Sequence, residues 1–189
     1  PDNKVLFLFG GNLGKPQGID FFLKCLLELR EYQPAHFLVI GGGTEYVNIR
    51  TFIDEKDLHN VTLIGEMDRE DYEQIVRRCD VGLILLDHRF TIPNYPARTL
   101  SYMMHSLPIL AATDIHTDVR QLIEEDAKCG LWCHSNDIIG FIKAVEVLCQ
   151  SKDQRRIMGA NGRAYAERHF DVSVAINNLE KQLEILLGE

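Results

Sequence analysis

The sequence lacks any apolar run long enough to cross a membrane, and it has no surplus of positive charge. A spanning helix needs about 20 consecutive apolar residues, and every hydrophobic stretch here is interrupted well before that length. Lysine and arginine number 20 against 28 aspartates and glutamates, which gives a formal net charge of −8. Because nucleic acids are bound by neutralising phosphates on a basic face, this composition argues against a nucleic-acid partner.

A disulfide framework and a metal-binding pattern are also missing. The five cysteines are an odd number, and three residues separate Cys129 from Cys133 where zinc and redox motifs usually have two. Four of the five lie in or beside apolar runs, which indicates buried thiols in a reducing cytoplasm. The seven histidines show no i, i+4 pairing. We therefore expect no metal site and no cofactor.

What the sequence does contain is a regular alternation of short apolar runs and amphipathic stretches. The runs are nearly continuous in hydrophobicity, as is typical of parallel strands that are covered on both faces. Six strands are predicted, at Val5–Phe9, Phe37–Ile40, Val61–Ile64, Val81–Leu85, Pro108–Ala112 and Leu131–Cys133. This alternation predicts one α/β domain over residues 1–189, with an open parallel sheet and right-handed crossovers.

Helical patterns separate the strands and continue beyond the last one. The helices between strands are predicted at Ile19–Tyr32, Tyr46–Lys56, Arg69–Arg78, Tyr95–His105, Asp118–Glu125 and Ile138–Cys149. Asp68 and Asn136 stand where N-cap residues are expected. The tail, residues 152–187, reads as two successive helices with no strand between them, at Lys152–His169 and Val172–Leu187.

The loop after the first strand is rich in glycine. Glycines occupy positions 10, 11, 14 and 18, and Lys15 adds a positive charge before the next helix. Glycine allows close approach of a ligand to the backbone, and a helix start offers N–H groups that suit a phosphate. The spacing fits neither a dinucleotide fingerprint, whose first glycine is replaced by Phe9, nor a P-loop, because Pro16 follows the lysine. A glycine-rich turn without a ligand remains the alternative.

A second distinctive segment, residues 90–103, leads from the fourth strand into a helix. Pro93 and Pro96 stiffen it, and Pro96 suits the first turn of a helix. Arg98 would then project from that first turn, where the helix dipole disfavours a cation. An anion shared between the helix N-terminus and Arg98 explains a cation at this position.

Taken in order, these segments resemble a known family. Gly-Asn-x-Gly-Lys-x-Gln-Gly follows the first strand, Ile-Gly-Gly-Gly ends the second, and Val-Thr-Leu-Ile-Gly-Glu forms the third. With Ile-Pro-Asn-Tyr-Pro-Ala-Arg-Thr-Leu-Ser-Tyr-Met, they resemble the carboxy-terminal, donor-binding half of group 1 (family 4) glycosyltransferases. The resemblance implies the GT-B fold, and for this chain a three-layer Rossmann-like lobe with extra C-terminal helices. Since the chain opens at Pro1 without a methionine, we expect it to be the C-terminal half of a longer enzyme.

The same resemblance implies site residues in three groups. The diphosphate-binding residues are Asn12, Gly14, Lys15 and Arg98; the base and ribose contacts are Glu66, Met67 and Ser101; the donor-sugar loop holds Pro93, Asn94 and Tyr95. The family often carries a pair of glutamates where this chain has Pro93 and Ser101. A serine hydroxyl binds a ribose hydroxyl less strongly than a carboxylate does.

The function implied is transfer of a sugar, with retention, from a nucleotide-sugar donor with uridine as the expected base. The transferred group is expected to be a hexosyl or N-acetylhexosaminyl unit, and the acceptor a saccharide or lipid-linked saccharide in bacterial polysaccharide, lipopolysaccharide or capsule synthesis. The N-terminal lobe of the same chain would hold the acceptor and the catalytic base, so the isolated lobe should be inactive. We expect a cytoplasmic location. Peripheral attachment to the inner face of the membrane, through the missing lobe, is an alternative within that expectation. A nucleotide-sugar epimerase of the same fold and a non-catalytic nucleotide-binding module are the alternatives.

Overall fold

Six parallel strands form a single sheet in a computed structural model that describes residues 3–89 and 95–170. Their order across the sheet is β3-β2-β1-β4-β5-β6. The strands are β1 Val5–Gly10, β2 Ala35–Ile40, β3 Val61–Ile64, β4 Val81–Leu85, β5 Ile109–Thr113 and β6 Gly130–His134. All six predicted strands are confirmed, and the ends that differ do so by one or two residues.

Within the described residues, six helices flank the sheet: α1 Ile19–Glu28, α2 Tyr46–Lys56, α3 Arg69–Val76, α4 Arg98–Met104, α5 Ile138–Gln150 and α6 Lys152–His169. The predictions for α2 and α6 match these bounds. The helix predicted over Ile19–Tyr32 ends early, because separate turns close on the carbonyls of Leu27 and Leu29. The helix predicted at Asp118–Glu125 is replaced largely by a π-helical turn at Gln121–Asp126. The second helix predicted for the tail, Val172–Leu187, lies outside the described residues.

The core lies on both faces of the sheet, which makes a three-layer α/β architecture of the Rossmann type. Alternate residues of β1 point to opposite faces, as the pleat requires. Phe7 and Phe9 pack with Phe22 of α1 and Phe141 of α5. Leu8 packs instead in the second cluster, with residues of α4, α6 and the π-helical turn. The nearly continuous hydrophobicity of the central strands follows from this double coverage.

Two of the helix starts test the predicted N-caps. Asp68 caps α3, since its Oδ1 accepts a hydrogen bond from the backbone N–H of Asp71 at 2.9 Å. The prediction for Asn136 was wrong: Asp137 caps α5 by accepting from the N–H of Gly140 at 2.9 Å. The carboxylate is one residue closer to the helix, and the Asn136 side chain faces the ring of His134.

Strands β1 and β4 are neighbours in the sheet although they are not consecutive in the chain. The chain therefore leaves their carboxyl ends in opposite directions, and a crevice opens between the two departing loops. Open α/β sheets bind their ligands at such a point. Over the described ranges, 3–89 and 95–170, no helix is long and apolar enough to cross a membrane.

Candidate functional site

A cleft of about 990 Å³ lies at the carboxyl ends of the strands, beside the junction of β1 and β4. Its size is within the range of small-molecule sites. Four chain segments line it: Gly10, Gly11, Asn12 and Gln17 after β1; Ile40 and Gly41 to Gly43 after β2; Glu66, Met67, Arg69, Tyr72 and Glu73 after β3; and Pro96, Ala97, Arg98 and Ser101 at α4.

The walls of the cleft are formed largely by backbone, because the loops after β1 and β2 touch each other directly. The N–H of Gly11 donates to the carbonyl of Ile40 at 2.9 Å, and the N–H of Leu13 donates to that of Gly42 at 2.8 Å. Gly41 has a φ of +142°, and a Cβ there would stand 1.9 Å from the carbonyl oxygen of Gly11. Only glycine can stand at this position, because any side chain would collide with the backbone of the loop after β1. These two N–H groups bond to the facing loop and are therefore not available to an anion. Binding of an anion then depends more on a positively charged side chain.

That charge comes from Arg98, the first residue of α4. Its Nη2 donates a hydrogen bond to Oε1 of Gln17 at 2.7 Å, so the guanidinium reaches from α4 to the loop after β1. Its Cζ lies 4.7 Å from the centre of the Phe9 ring, a cation–π contact. These contacts hold the guanidinium over the end of β1, next to Gly11.

Arg98 has no acidic partner among the residues that the structure describes. Its Nη1 is buried and has no hydrogen-bond partner there. Burial lowers the pKa of the guanidinium, an effect that the nearby hydroxyls of Tyr102 and Tyr72 partly oppose. A buried donor without an acceptor is costly, and a buried charge is normally paired. A cation left in this state at a cleft indicates a site for an anionic ligand.

The other end of the cleft has a net negative charge, because Glu66 and Glu73 line it together with one cation, Arg69. The Glu66 carboxylate lies over the backbone of Gly42, where an added Cβ would stand 2.3 Å from Oε1. Glu73 accepts a hydrogen bond from Nε of Arg69 at 2.9 Å, and that bond lowers the pKa of its carboxyl group. Ionised carboxylates are acceptors for hydroxyl and N–H groups. The cleft therefore suits a ligand with an anionic part near Arg98 and a neutral, hydrogen-bonding part near Glu66.

The structure brings together five of the residues expected in the site. Asn12, Arg98, Glu66, Met67 and Ser101 all line the cleft. Gly14 and Lys15 do not: Gly14 is buried at the start of a short 3-10 turn, Lys15–Gln17.

Lys15 lies in a neighbouring depression of about 390 Å³ with Asp20, Glu45, Asp87 and Arg89. Tyr95 is also outside the lining of the main cleft, and its ring centre is 6.1 Å from that of Phe170. Pro93 and Asn94, expected in the donor-sugar loop, lie outside the described residues.

Among the residues that the sequence did not predict for the site are four with polar side chains in the lining of the cleft: Gln17, Arg69, Tyr72 and Glu73. Gln17 was not distinguished from the glycines around it, and three residues of α3 were treated as an ordinary amphipathic helix. Arg69, Tyr72 and Glu73 stand at spacings i, i+3 and i+4, which puts them on one face of the helix. That spacing, directly after the third strand, is the signal that could have found them.

The family model of the group 1 glycosyl transferases matches residues 1–165 of the chain. Among curated proteins, the chain is 22% identical over 186 residues to the probable glycosyltransferase WbjE of Pseudomonas aeruginosa, covering 98% of the chain and 46% of that protein. It is 20% identical over 171 residues to the putative colanic acid biosynthesis glycosyl transferase WcaI of Escherichia coli K12, covering 90% of the chain and 41% of that protein. The chain thus spans less than half the length of these relatives.

Solved structures share the fold at low sequence identity. TarM from S. aureus superimposes with a TM-score of 0.77 at 14% identity, over 96% of this chain and 36% of its own. HepE from Anabaena, solved with UDP and glucose, has a TM-score of 0.77 at 16% identity, over 96% of this chain and 48% of its own. The pneumococcal O-GlcNAc transferase GtfA, solved with UDP and GlcNAc, has a TM-score of 0.76 at 19% identity, over 99% of this chain and 37% of its own.

Proposed function

This chain belongs to the group 1 glycosyl transferases, and we propose that its cleft binds the nucleoside diphosphate of a nucleotide-sugar donor. The single observation that carries the proposal is Arg98, a cation with a buried Nη1 that has no hydrogen-bond partner among the described residues, at a cleft lined on one side by the glycines after β1 and β2. A diphosphate supplies acceptor oxygens and negative charge at that point. Charge-assisted hydrogen bonds of this kind are the strong ones.

The rest of the donor would extend toward the acidic end of the cleft. Glu66 and Met67, at the loop after β3, stand where the base is expected, and Ser101 lines the same cleft from α4. A ribose and a base are neutral and rich in hydroxyl and N–H donors, so carboxylate acceptors suit them better than a second anion. A free polyphosphate would meet repulsion from Glu66, whereas the charge of Glu73 is offset by its ion pair with Arg69.

In the proposed reaction the bond between the sugar C1 and the diphosphate oxygen breaks, and its electron pair remains on that oxygen. Arg98 is fixed before the reaction and stabilises the negative charge as it grows, which lowers the barrier. The acceptor hydroxyl forms the new bond to C1 and loses its proton to a base that we place on the N-terminal lobe. Retention at C1 is the stereochemical outcome we propose.

We further propose uridine as the base, a hexosyl or N-acetylhexosaminyl unit as the transferred group, and a saccharide or lipid-linked saccharide of the bacterial surface as the acceptor. Two findings support this. HepE and GtfA, which share the fold, were solved with UDP and a sugar. WcaI is described as a colanic acid biosynthesis enzyme. We propose a cytoplasmic location for the reaction, where nucleotide sugars are made.

Calorimetry on the 189-residue chain with uridine diphosphate, adenosine diphosphate and uridine tests the binding proposal. We expect weak binding, because the fixed entropic cost of association must be offset by the contacts of one lobe. Uridine diphosphate should bind more tightly than uridine, and more tightly than adenosine diphosphate. Equal affinity for uridine and its diphosphate would mean that Arg98 does not bind phosphate.

Turnover is tested separately, because the chain covers less than half of its curated relatives. We expect no sugar transfer by the 189-residue chain alone and transfer by the full-length protein. Robust transfer by this chain would overturn the assignment of the acceptor site to another lobe. Donor binding without transfer by the full-length protein would favour a non-catalytic module.

A further inference from the structure

The partner that orients Arg98 is an amide rather than a carboxylate. Among the described residues, the side-chain hydrogen bond of the guanidinium goes to Oε1 of Gln17, at 2.7 Å and across 81 positions of sequence. Glutamate would place an oxygen at the same distance from Cα as glutamine does, and it would give the half-buried cation a counter-ion. Glutamine gives the guanidinium a fixed direction and leaves its charge uncompensated.

The backbone around Gln17 is fixed by several contacts. It ends the short turn that begins at Lys15, and its N–H donates to the carbonyl of Gly14 at 3.0 Å. The following residue, Gly18, packs so closely against β4 that an added Cβ would stand 3.3 Å from the backbone of Asp87. The N–H of Asp87 also donates to the carbonyl of Pro16 at 2.9 Å. The backbone on both sides of Gln17 is therefore fixed to the end of β4.

The hydrogen bond from Arg98 to Gln17 joins two lining segments of the cleft, one after β1 and one at α4. The guanidinium of Arg98 also lies against the Phe9 ring. This cation–π contact is attractive although the ring has no formal charge. Both groups that hold the guanidinium are therefore neutral. A site built in this way retains its positive potential for a ligand, because no counter-ion among the described residues offsets the charge of the guanidinium.

We propose that Gln17 is the positioning residue of the anion site: it directs Arg98 toward the cleft, and its neutrality keeps Arg98 available to the diphosphate. The inference rests on the proposed function, because the ligand that it concerns is the nucleoside diphosphate. Gln17 lines the cleft and acts through Arg98, and the property that matters is the neutrality of its amide.

Gln17→Glu tests the neutrality of this residue, because the substitution keeps the shape of the side chain and an oxygen acceptor for Arg98, replaces the amide N–H donors with a second oxygen and adds a negative charge. We expect the affinity of the 189-residue chain for uridine diphosphate to fall by about one to two orders of magnitude, the loss of one charge-assisted contact. Thermal stability should be unchanged or higher, since a half-buried cation gains a counter-ion. Affinity for uridine, which carries no phosphate, should stay the same. Calorimetry and thermal denaturation of the same samples measure all three.

Gln17→Ala removes the orienting group without adding charge, and we expect a smaller loss of diphosphate affinity than for Gln17→Glu. Gln33→Glu is the matched control: Gln33 is exposed between α1 and β2, at the opposite end of the sheet, and it changes the net charge equally. Wild-type diphosphate affinity in Gln17→Glu overturns the inference. So does an equal loss in Gln33→Glu, because net charge alone would then explain it. If the wild-type chain itself shows no preference for the diphosphate over uridine, the proposed function fails instead.

Discussion

The hydroxyl group of Tyr72 occupies the space that a side chain on Gly10 would need. A Cβ built on Gly10 would stand 2.1 Å from that oxygen and 2.6 Å from the nearest ring carbon. Gly10 ends β1 and Tyr72 belongs to α3, so this contact closes the floor of the cleft. The hydroxyl of the buried Tyr102 donates a hydrogen bond to the carbonyl oxygen of Leu8 at 3.2 Å, and burial raises the pKa of the Tyr72 hydroxyl.

We predict that Gly10→Ala destabilises the chain and weakens diphosphate binding together. The aromatic ring cannot move aside by a small adjustment, because its edge as well as its hydroxyl lies within the reach of the new methyl group. Overpacking of this kind typically costs about 1–3 kcal/mol. Chemical denaturation gives the free energy of unfolding, and calorimetry with uridine diphosphate gives the affinity.

A double-mutant cycle with Tyr72→Ala tests the cause. In the Tyr72→Ala background the new methyl group has space, so Gly10→Ala should cost at least about 0.5 kcal/mol less than in the wild type, a coupling typical of residues in contact. If Gly10→Ala costs the same in both backgrounds, the glycine is needed for another reason and the contact with Tyr72 is incidental.

Asp87 gives a prediction about acid stability. Its hydrogen bonds with Arg89, the shorter at 2.7 Å, lower the pKa of its carboxyl group from 3.8 to about 2. A lowered pKa in the folded state means that the carboxylate stabilises the fold fully above about pH 4 and loses this effect as the pH falls toward 2. Asp87→Asn should therefore lower the urea midpoint at pH 6, and the difference from wild type should shrink at pH 3.

The change in the free energy of unfolding caused by Asp87→Asn should be small, because Arg89 is exposed and its charge is screened by solvent. Asp54→Asn, which removes an exposed carboxylate of α2, controls for the change in net charge. A difference between wild type and Asp87→Asn that is constant from pH 6 to pH 3 contradicts the ion pair as its source.

The strands and the position of the cleft could be predicted from sequence because both depend on local patterns. A strand such as Val81–Leu85 is buried on both faces and is therefore apolar throughout, and glycine-rich loops mark the places where backbone must approach closely. Arg98 was found because a cation at a helix start conflicts with the dipole. This unfavourable position of a cation in the helix dipole indicated that Arg98 has a role in binding.

Which side chain of the loop after β1 enters the cleft could not be predicted in the same way. Lys15 is the charged residue of this loop and was for that reason expected in the site, whereas Gln17 is the residue that lines the cleft. The difference arises from the turn at Lys15–Gln17, whose closure depends on contacts with β4 far along the chain. Tyr72 was missed for a similar reason, because its partners Gly10 and Tyr102 are distant in sequence. Tertiary contacts determine these positions.

The cysteines should be nearly inert in the native chain. Burial raises the pKa of the Cys79, Cys129 and Cys133 thiols to about 12, and that of Cys149 to about 11. The thiolate is the reactive form, so a maleimide at pH 7.5 should label the folded chain slowly and the unfolded chain at all five cysteines. Cys149, which is only partly buried, should react first. Mass spectrometry locates the label, and rapid native labelling that persists in Cys149→Ser would contradict the burial of the other four.

Arg98→Met should separate binding from folding. Methionine keeps an apolar stem against Phe9 and removes the charge. The cost of holding a half-buried cation with an unsatisfied Nη1 therefore disappears along with its hydrogen bond to Gln17. We expect a melting temperature that is unchanged or slightly higher, and a loss of uridine diphosphate affinity of about one to two orders of magnitude. Arg98→Lys should recover only part of the affinity, because a point charge cannot reproduce the fork of the guanidinium.

Lys15→Met is the matched comparison, since it removes a charge from the same region outside the cleft. We expect it to reduce diphosphate affinity by less than about threefold, because an exposed charge that does not contact the ligand is screened by salt. The two variants should therefore differ clearly in calorimetry at the same ionic strength. An equal loss in both would show that Lys15 reaches the diphosphate when it binds. An Arg98→Met protein that is destabilised but binds normally would mean that Arg98 serves the fold, and the assignment of the anion site would be wrong.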